Sequence, residues 1–173
     1  VRQDDRVDNS MFLMPFKSKN RKVQKEWIDY NGHMNVTYYT LAFDEAIDEF
    51  LEVGVGVGPS FIKRHHQGSY ALQTQYRYLA ELILHDEFLV TVFVADFTPK
   101  RMHLILKMVD HMNQTIFATC ETIMVNVNLE NRKSCEYPEF VQIKLKKLYN
   151  ASENLRLNTT IGHPIGLRNK RSK

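Results

Sequence analysis

Between residues 36 and 53, apolar side chains recur at helical spacing. Tyr39, Phe43, Ala46, Ile47, Phe50 and Leu51 fall on one stripe, while Asp44, Glu45, Asp48, Glu49 and Glu52 form a wet opposite face. The spacing predicts one long amphipathic helix with Gly54 as its C-cap. Beyond it the period changes to that of β-structure. Residues 70–79, 88–97, 102–110 and 115–129 are long runs rich in β-branched and aromatic side chains. The breaks Thr98-Pro-Lys-Arg101 and His111-Met-Asn-Gln114 between the last three suit antiparallel hairpins. Upstream, residues 22–28 predict a first strand, and residues 138–149 predict a terminal helix.

This order, one strand, a long helix and four long strands, sets the fold class. A helix of about 18 residues covers only one face of a five-stranded sheet. An α+β domain is therefore expected, with a five-stranded antiparallel sheet wrapped around a central helix. Runs such as Phe88-Leu-Val-Thr-Val-Phe-Val-Ala95 are apolar on both faces. They need cover on both sides, or cover on one and a partner on the other, and exposed apolar surface invites a dimer. Residues 1–20, which include the short apolar patch Met11-Phe-Leu-Met-Pro15, are set apart as an N-terminal extension. Residues 21–150 form the domain, and residues 151–173 form a polar, basic tail expected to be flexible.

The first strand and the helix are joined by Trp27-Ile-Asp-Tyr-Asn-Gly-His-Met-Asn35, which is far more polar than either neighbour. In an extended or turn-like backbone, residues two apart lean to the same side, so Asp29, Asn31, His33 and Asn35 could converge. Asn31-Gly32 favours a turn, and Asn35 can cap the helix that follows. A helix start presents free N–H groups and the positive end of its dipole to developing negative charge. A carboxylate, an imidazole and such a helix start suit hydrolysis of an acyl group. Any tight strand-to-helix connection also collects Asp, Asn and Gly, so on spacing alone a purely structural turn explains the same residues.

Composition narrows the classes without choosing among them. With 173 residues, 43% hydrophobic and 25% charged, the chain is of ordinary globular type and long enough for one real core. No stretch approaches the roughly 20 apolar residues of a membrane span, so no membrane partner is expected. The opening Val-Arg-Gln-Asp-Asp-Arg has no apolar core of a secretory signal, and a start at Val1 leaves trimming or a longer parent chain open. Cys120 and Cys135 make neither a C-x-x-C pair nor a disulfide framework, as expected of a reduced, cytoplasmic protein. The net charge is +3, partly from Arg168-Asn-Lys-Arg-Ser-Lys173; without interleaved aromatics that tail does not predict a nucleic-acid partner.

Other candidates carry less. Gly54-Val-Gly-Val-Gly58 follows a helix and lacks the Gly-Lys-Ser/Thr of a phosphate loop, so it reads as a flexible helix exit. His65-His66 has no His-Glu-x-x-His context and reads as a solvated loop; no metal is expected. Lys100, Arg101, Arg132 and Lys133 are positioned to meet phosphates, and equally to keep the chain soluble. Trp27, Tyr30, Tyr38 and Tyr39 could cage a quaternary ammonium or simply pack as core.

Asp-x-Asn-Gly-His-Met-Asn ahead of a long helix resembles the signature of hot-dog-fold acyl-CoA thioesterases of the 4-hydroxybenzoyl-CoA type. It is also similar to the Asp-x-Asn-x-His-x-Asn segment of plant acyl-carrier-protein thioesterases. The likeness covers roughly residues 20–140. More narrowly, Arg77-Tyr-Leu-Ala-Glu-Leu82, Lys100-Arg-Met-His103, Ala118-Thr-Cys-Glu121 and Asn131-Arg-Lys-Ser134 resemble the betainyl-CoA thioesterases of carnitine breakdown. Gln73 and Gln75 stand where that likeness leads one to expect Glu and His.

The resemblance implies an acyl-CoA substrate, no cofactor, and a homodimer or homotetramer with its sites at the subunit interface. It makes Asp29 the acting carboxylate, as nucleophile or as base for a water. Asn31 and His33 would orient it, the water or the carbonyl, and the backbone N–H near Val36 would polarise the carbonyl. Gly32, Asn35, Tyr38, Lys100 and Arg101 become candidate substrate contacts. Two rivals share the fold. A hot-dog enoyl-thioester hydratase or dehydratase would want His on the central helix, which has none. A non-catalytic acyl-CoA-binding protein is suggested by Gln73 and Gln75.

Overall fold

The structure is a computed structural model, and residues 13–167 of it are described. The first six residues, positions 11 and 12 of the apolar patch, and the basic run 168–173 lie outside the described residues. In chain order the elements are β1 (Phe16–Lys17), β2 (Arg21–Lys22), α1 (Val36–Glu49), α2 (Pro59–His65), β3 (Gln67–Tyr78), β4 (Glu87–Phe97), β5 (Arg101–Val109), β6 (Ile116–Asn128), α3 (Glu139–Ala151) and α4 (Glu153–Leu157). The sheet is antiparallel with order β1-β4-β5-β6-β3, and β2 also pairs with β4.

The four long strands and the helix lie where their periodicity puts them, but the first strand does not. Residues 22–28 give only the end of β2 and a 3₁₀ turn, Lys25–Trp27. The pairing on the β4 edge is made instead by two two-residue strands, the first of them within the segment set apart as an extension. Between them Ser18 takes over the ladder: its N–H donates to Val90 O (2.8 Å), and its Oγ accepts from Val90 N (2.9 Å). The five-strand expectation thus becomes four long strands plus a broken edge. Lys17-Ser-Lys-Asn-Arg-Lys22 hides that edge because its alternation is charged rather than apolar, a habit of edge strands.

The inner face of the sheet packs on α1. Val90, Val92, Val94, Met102, Leu104, Leu106, Met108, Ala118 and Cys120 meet Tyr39, Phe43, Ala46, Ile47 and Phe50, all buried. The helix stripe read from spacing is this buried face. Burial pushes the Cys120 thiol up to about 12, so it stays protonated and inert at neutral pH. The outer face is covered from within the chain. Phe93, Ala95 and Ile105 are buried there against Met14 and Leu155 of α4. Residues 158–165 then cross the same face as a strap, pinned by Lys107 Nζ to Thr159 Oγ1 (3.0 Å), Gly162 N to Glu121 (3.0 Å) and Gln75 Nε2 to His163 O (2.8 Å).

The helix does not stop at Gly54. It continues as a π-helical turn, Phe50–Val55, and ends at Gly56 in the left-handed region (φ 86°), whose N–H bonds Leu51 O (2.8 Å). A Cβ on Gly54 would lie 2.5 Å from the Phe50 ring, so this glycine permits a close approach rather than a cap. The exit Gly54–Gly58 is short and leads straight into α2, begun by Pro59 and closed by His66 (φ 50°). His65, the last residue of α2, stacks on Phe61 at 4.4 Å and stays exposed to solvent.

Candidate active site at the start of the central helix

The connection 29–35 folds as a closed loop, not as an extended segment. Ile28 and Met34 form an antiparallel bridge, Asp29 N donates to His33 O (3.1 Å) and Gly32 N to Asp29 O (3.0 Å). Gly32 takes φ 84°, which a side chain would strain. Because the backbone turns here, alternate residues do not share a side. Asp29 Oδ1 accepts from Asn31 N (2.8 Å), closing an Asx turn and leaving Oδ2 without a partner among the described residues. The Asn31 side chain is exposed. Asn35 caps the helix, its Oδ1 accepting from Thr37 N (2.9 Å). The loop is tied to the β3–β4 connection by Met34 N to Leu82 O (2.7 Å) and to the preceding turn by Asn35 N to Trp27 O (2.8 Å).

A cleft of about 300 Å³ opens beside this helix start, lined by His33, Met34, Val36, Tyr39, Tyr78, Leu79, Ala80 and Glu81. Thr37 N is taken by the cap, but the Val36 N–H, first in the helix, has no acceptor among the described residues. His33 Nδ1 lies 3.2 Å from Met34 O, which fixes the ring against its own loop. Tyr39 OH accepts from Leu82 N (3.1 Å); burial raises its pKa, Glu81 adds to the rise, and the phenol stays neutral. A loose donor, an imidazole and carboxylates at one helix start can polarise a carbonyl and move a proton.

Of the residues singled out by sequence, the structure brings His33 and Val36 to the cleft. Asp29, Asn31 and Gly32 form the loop beside it without lining it. Tyr38 stacks on Trp27 (centroids 5.4 Å, interplanar 16°), which occupies a face of each ring, while Tyr30 is 96% exposed. Lys100 and Arg101 sit on the β4–β5 hairpin. Arg101 pairs with Val125, the partner of Tyr70, whereas the cleft adjoins Tyr78. The two ends are eight strand positions apart, roughly 26 Å. Glu81 and Tyr78 were missed as site residues. The signal was the segment Arg77-Tyr-Leu-Ala-Glu-Leu82, where a charged residue sits in a strand exit that must pass the helix start. Among the described residues no group of three or more His, Cys, Asp or Glu side chains could hold a metal.

Comparisons with known proteins converge on one fold. The family model of the thioesterase-like superfamily matches residues 23–145. An L-carnitine dehydrogenase/betainyl-CoA thioesterase of Rhizobium meliloti is 29% identical over 152 residues, covering 88% of this chain and 30% of that protein. The chain thus spans under a third of that relative's length. A betainyl-CoA thioesterase of Pseudomonas aeruginosa is 23% identical over 145 residues, covering 84% of this chain and 91% of that protein. Among solved structures, a Staphylococcus aureus protein in complex with CoA superposes with a TM-score of 0.75 at 27% identity, over 90% of this chain and 99% of that one. A 1,4-dihydroxy-2-naphthoyl-CoA thioesterase from Synechocystis (TM-score 0.66, 17% identity, 77% and 96% covered) shares the fold.

Proposed function

The chain belongs to the thioesterase-like superfamily, and from that membership we propose that it is an acyl-CoA thioesterase. The substrate is a small or medium acyl-CoA, with betainyl-CoA favoured by the relatives' names. The observation that carries this reading is the unpartnered Val36 N–H at the start of α1, opening on a cleft that also holds His33 and Glu81. The thioester carbonyl oxygen accepts from Val36 N, where the helix dipole adds to the polarisation.

Asp29 acts with Oδ2. As base it takes a proton from water while the hydroxide adds to the carbonyl carbon; the C–S bond then breaks and the CoA thiolate leaves with the electron pair. As nucleophile it forms a mixed anhydride with loss of the thiolate, and water then hydrolyses the anhydride. A thiolate leaves readily, so neither route needs a metal. Asn31, through its backbone N–H, holds the other carboxylate oxygen, and His33 orients water or carbonyl in the cleft.

The chain works as a homodimer or homotetramer with sites at the subunit interface. In support, among the described residues β3 pairs with β6 alone and leaves its second edge open, with Tyr70, Leu72, Tyr78 and Leu79 exposed on or beside it. A two-fold axis near the middle of β3 would set the far end of one copy beside the cleft of the other, carrying Lys100 and Arg101 to a substrate they cannot reach within one copy. The compartment is the cytoplasm, in keeping with two unpaired cysteines and with no helix among the described residues long and apolar enough to cross a membrane.

The test is a panel of acyl-CoAs, betainyl-CoA included, followed with a thiol reagent. Release of free CoA is the expected result. Binding without release would replace hydrolysis with a carrier role, and hydration of crotonyl-CoA would move the chain to the hydratases.

A further inference from the structure

On the outer face, Arg77 of β3, Thr119 of β6 and Lys107 of β5 form one cross-strand row. Two strand spacings put the cations on the order of 10 Å apart at their Cα atoms, within converging reach of long side chains. The strap lies over them: Asn158, Thr159, Thr160 and His163 complete a cavity of about 190 Å³. Lys107 is half-buried, and loss of solvent lowers its pKa. Its ammonium donates to Thr159 Oγ1, and among the described residues neither cation has a carboxylate within ion-pair distance. Among the described residues the Arg77 guanidinium has no hydrogen-bond acceptor. Glu121 also reaches this wall, but its oxygens are taken, by His103 Nε2 (2.8 Å) and by Gly162 N (3.1 and 3.0 Å).

Two half-buried cations without an ion-pair partner, beneath a hydroxyl-bearing roof, suit an anion with several acceptor oxygens. Phosphate meets that description, and guanidinium matches its geometry in pairs of bonds. Leu79 lines this cavity and the cleft at the helix start alike, so the two adjoin across the exit of β3. Resting on the acyl-CoA reading above, we propose that the cavity formed by Arg77, Lys107, Thr119 and the strap holds the phosphate groups of coenzyme A. The thioester lies in the cleft, and the pantetheine arm passes over the strand exit at residues 78–80. The C-terminal strap is then one wall of the substrate site, supplying the Thr159 and Thr160 hydroxyls.

Titration calorimetry on the purified chain tests this without turnover. Arg77→Gln and Lys107→Met are each expected to weaken free CoA, and adenosine 3′,5′-bisphosphate as its nucleotide fragment, by about tenfold. Pantetheine, which has no phosphate, should bind as before. Thr159→Glu, which puts a carboxylate where the phosphate would sit, should weaken CoA at least as much. In hydrolysis, KM for acyl-CoA should rise in all three variants at constant kcat, with acyl-pantetheine turnover unchanged. CoA affinity within twofold of the parent, or an equal loss with pantetheine, overturns the assignment. Inorganic phosphate binding as tightly as the bisphosphate would make this a free-phosphate site and overturn it too. A chain that binds CoA in this way yet releases no thiol would overturn hydrolysis alone. One that hydrolyses acyl-CoA indifferently to these substitutions would overturn the phosphate site alone.

Discussion

The two ends of α1 are made from similar letters and behave in opposite ways. Its start, Asp29-Tyr-Asn-Gly-His-Met-Asn35, is polar and, but for the buried Met34, open or half-open to solvent, turns on a glycine at φ 84°, and leaves the Val36 N–H without an acceptor among the described residues. Its end, Phe50–Gly58, also turns on a glycine, at φ 86°, but there the groups are answered. Leu51 O accepts from both Gly56 N and Val57 N, Glu52 bonds Ser60, and Phe50 fills the space above Gly54. One end is closed by the protein itself, and the other keeps a donor unpaired among the described residues. A glycine-marked turn signals a site where backbone groups stay unsatisfied, not where glycines are most numerous.

The strongest way to break this contrast is at the open end. Asp29→Asn keeps an oxygen for Asn31 N, so Tm should hold while kcat for acyl-CoA falls about a thousandfold. Undiminished turnover would hand the carboxylate role to Glu81, which lines the cleft. At the closed end, Gly54→Ala drives a methyl into the Phe50 ring; about 2 kcal/mol of stability should be lost in denaturant titration, with activity per folded molecule unchanged. Asn35→Ala tests the boundary between the two behaviours. It removes the cap, at about 1 kcal/mol, and also loosens the helix start, so activity and stability should fall together.

The smallest effect is a pH dependence at the closed end. The Ser60 hydroxyl and N–H hold the Glu52 carboxyl below its ordinary value. A depressed folded pKa adds stability above the unfolded value that fades as pH falls through the folded one. Glu52→Gln should therefore lower Tm slightly at neutral pH, and the gap to the parent should vanish in acid.

Helix and long strands were legible because burial imposes a period: Phe43, Ala46 and Phe50 must face Leu104 and Leu106, and the spacing says so. The broken edge at Phe16–Lys22 was not, since it buries little and its hydrogen bonds run through the Ser18 hydroxyl. The π-helical turn was hidden for a different reason: its glycines report packing against Phe50 and Glu52, which no local pattern encodes. The loop 29–35 was legible as a place but not as a geometry. Alternation assumes extended backbone, and the bridge from Ile28 to Met34 folds it instead. Glu81, Arg77 and Lys107 acquire meaning only from strands they meet across the sheet and from the strap laid over it.

Ser18 has one more effect. By sealing the β4 side with its own hydroxyl, amid Lys17, Lys19, Arg21 and Lys22, it leaves that margin short, kinked and dense in charge, with Lys19 and Arg21 paired to Glu49 and Glu45, hostile to a further strand. The β3 margin is long and bare. A sheet with a single hospitable margin has a valency of one: it can take one neighbour and is then satisfied. Under the pairing proposed above, such a unit would close on itself as a pair, with no second open margin among the described residues from which to grow a filament.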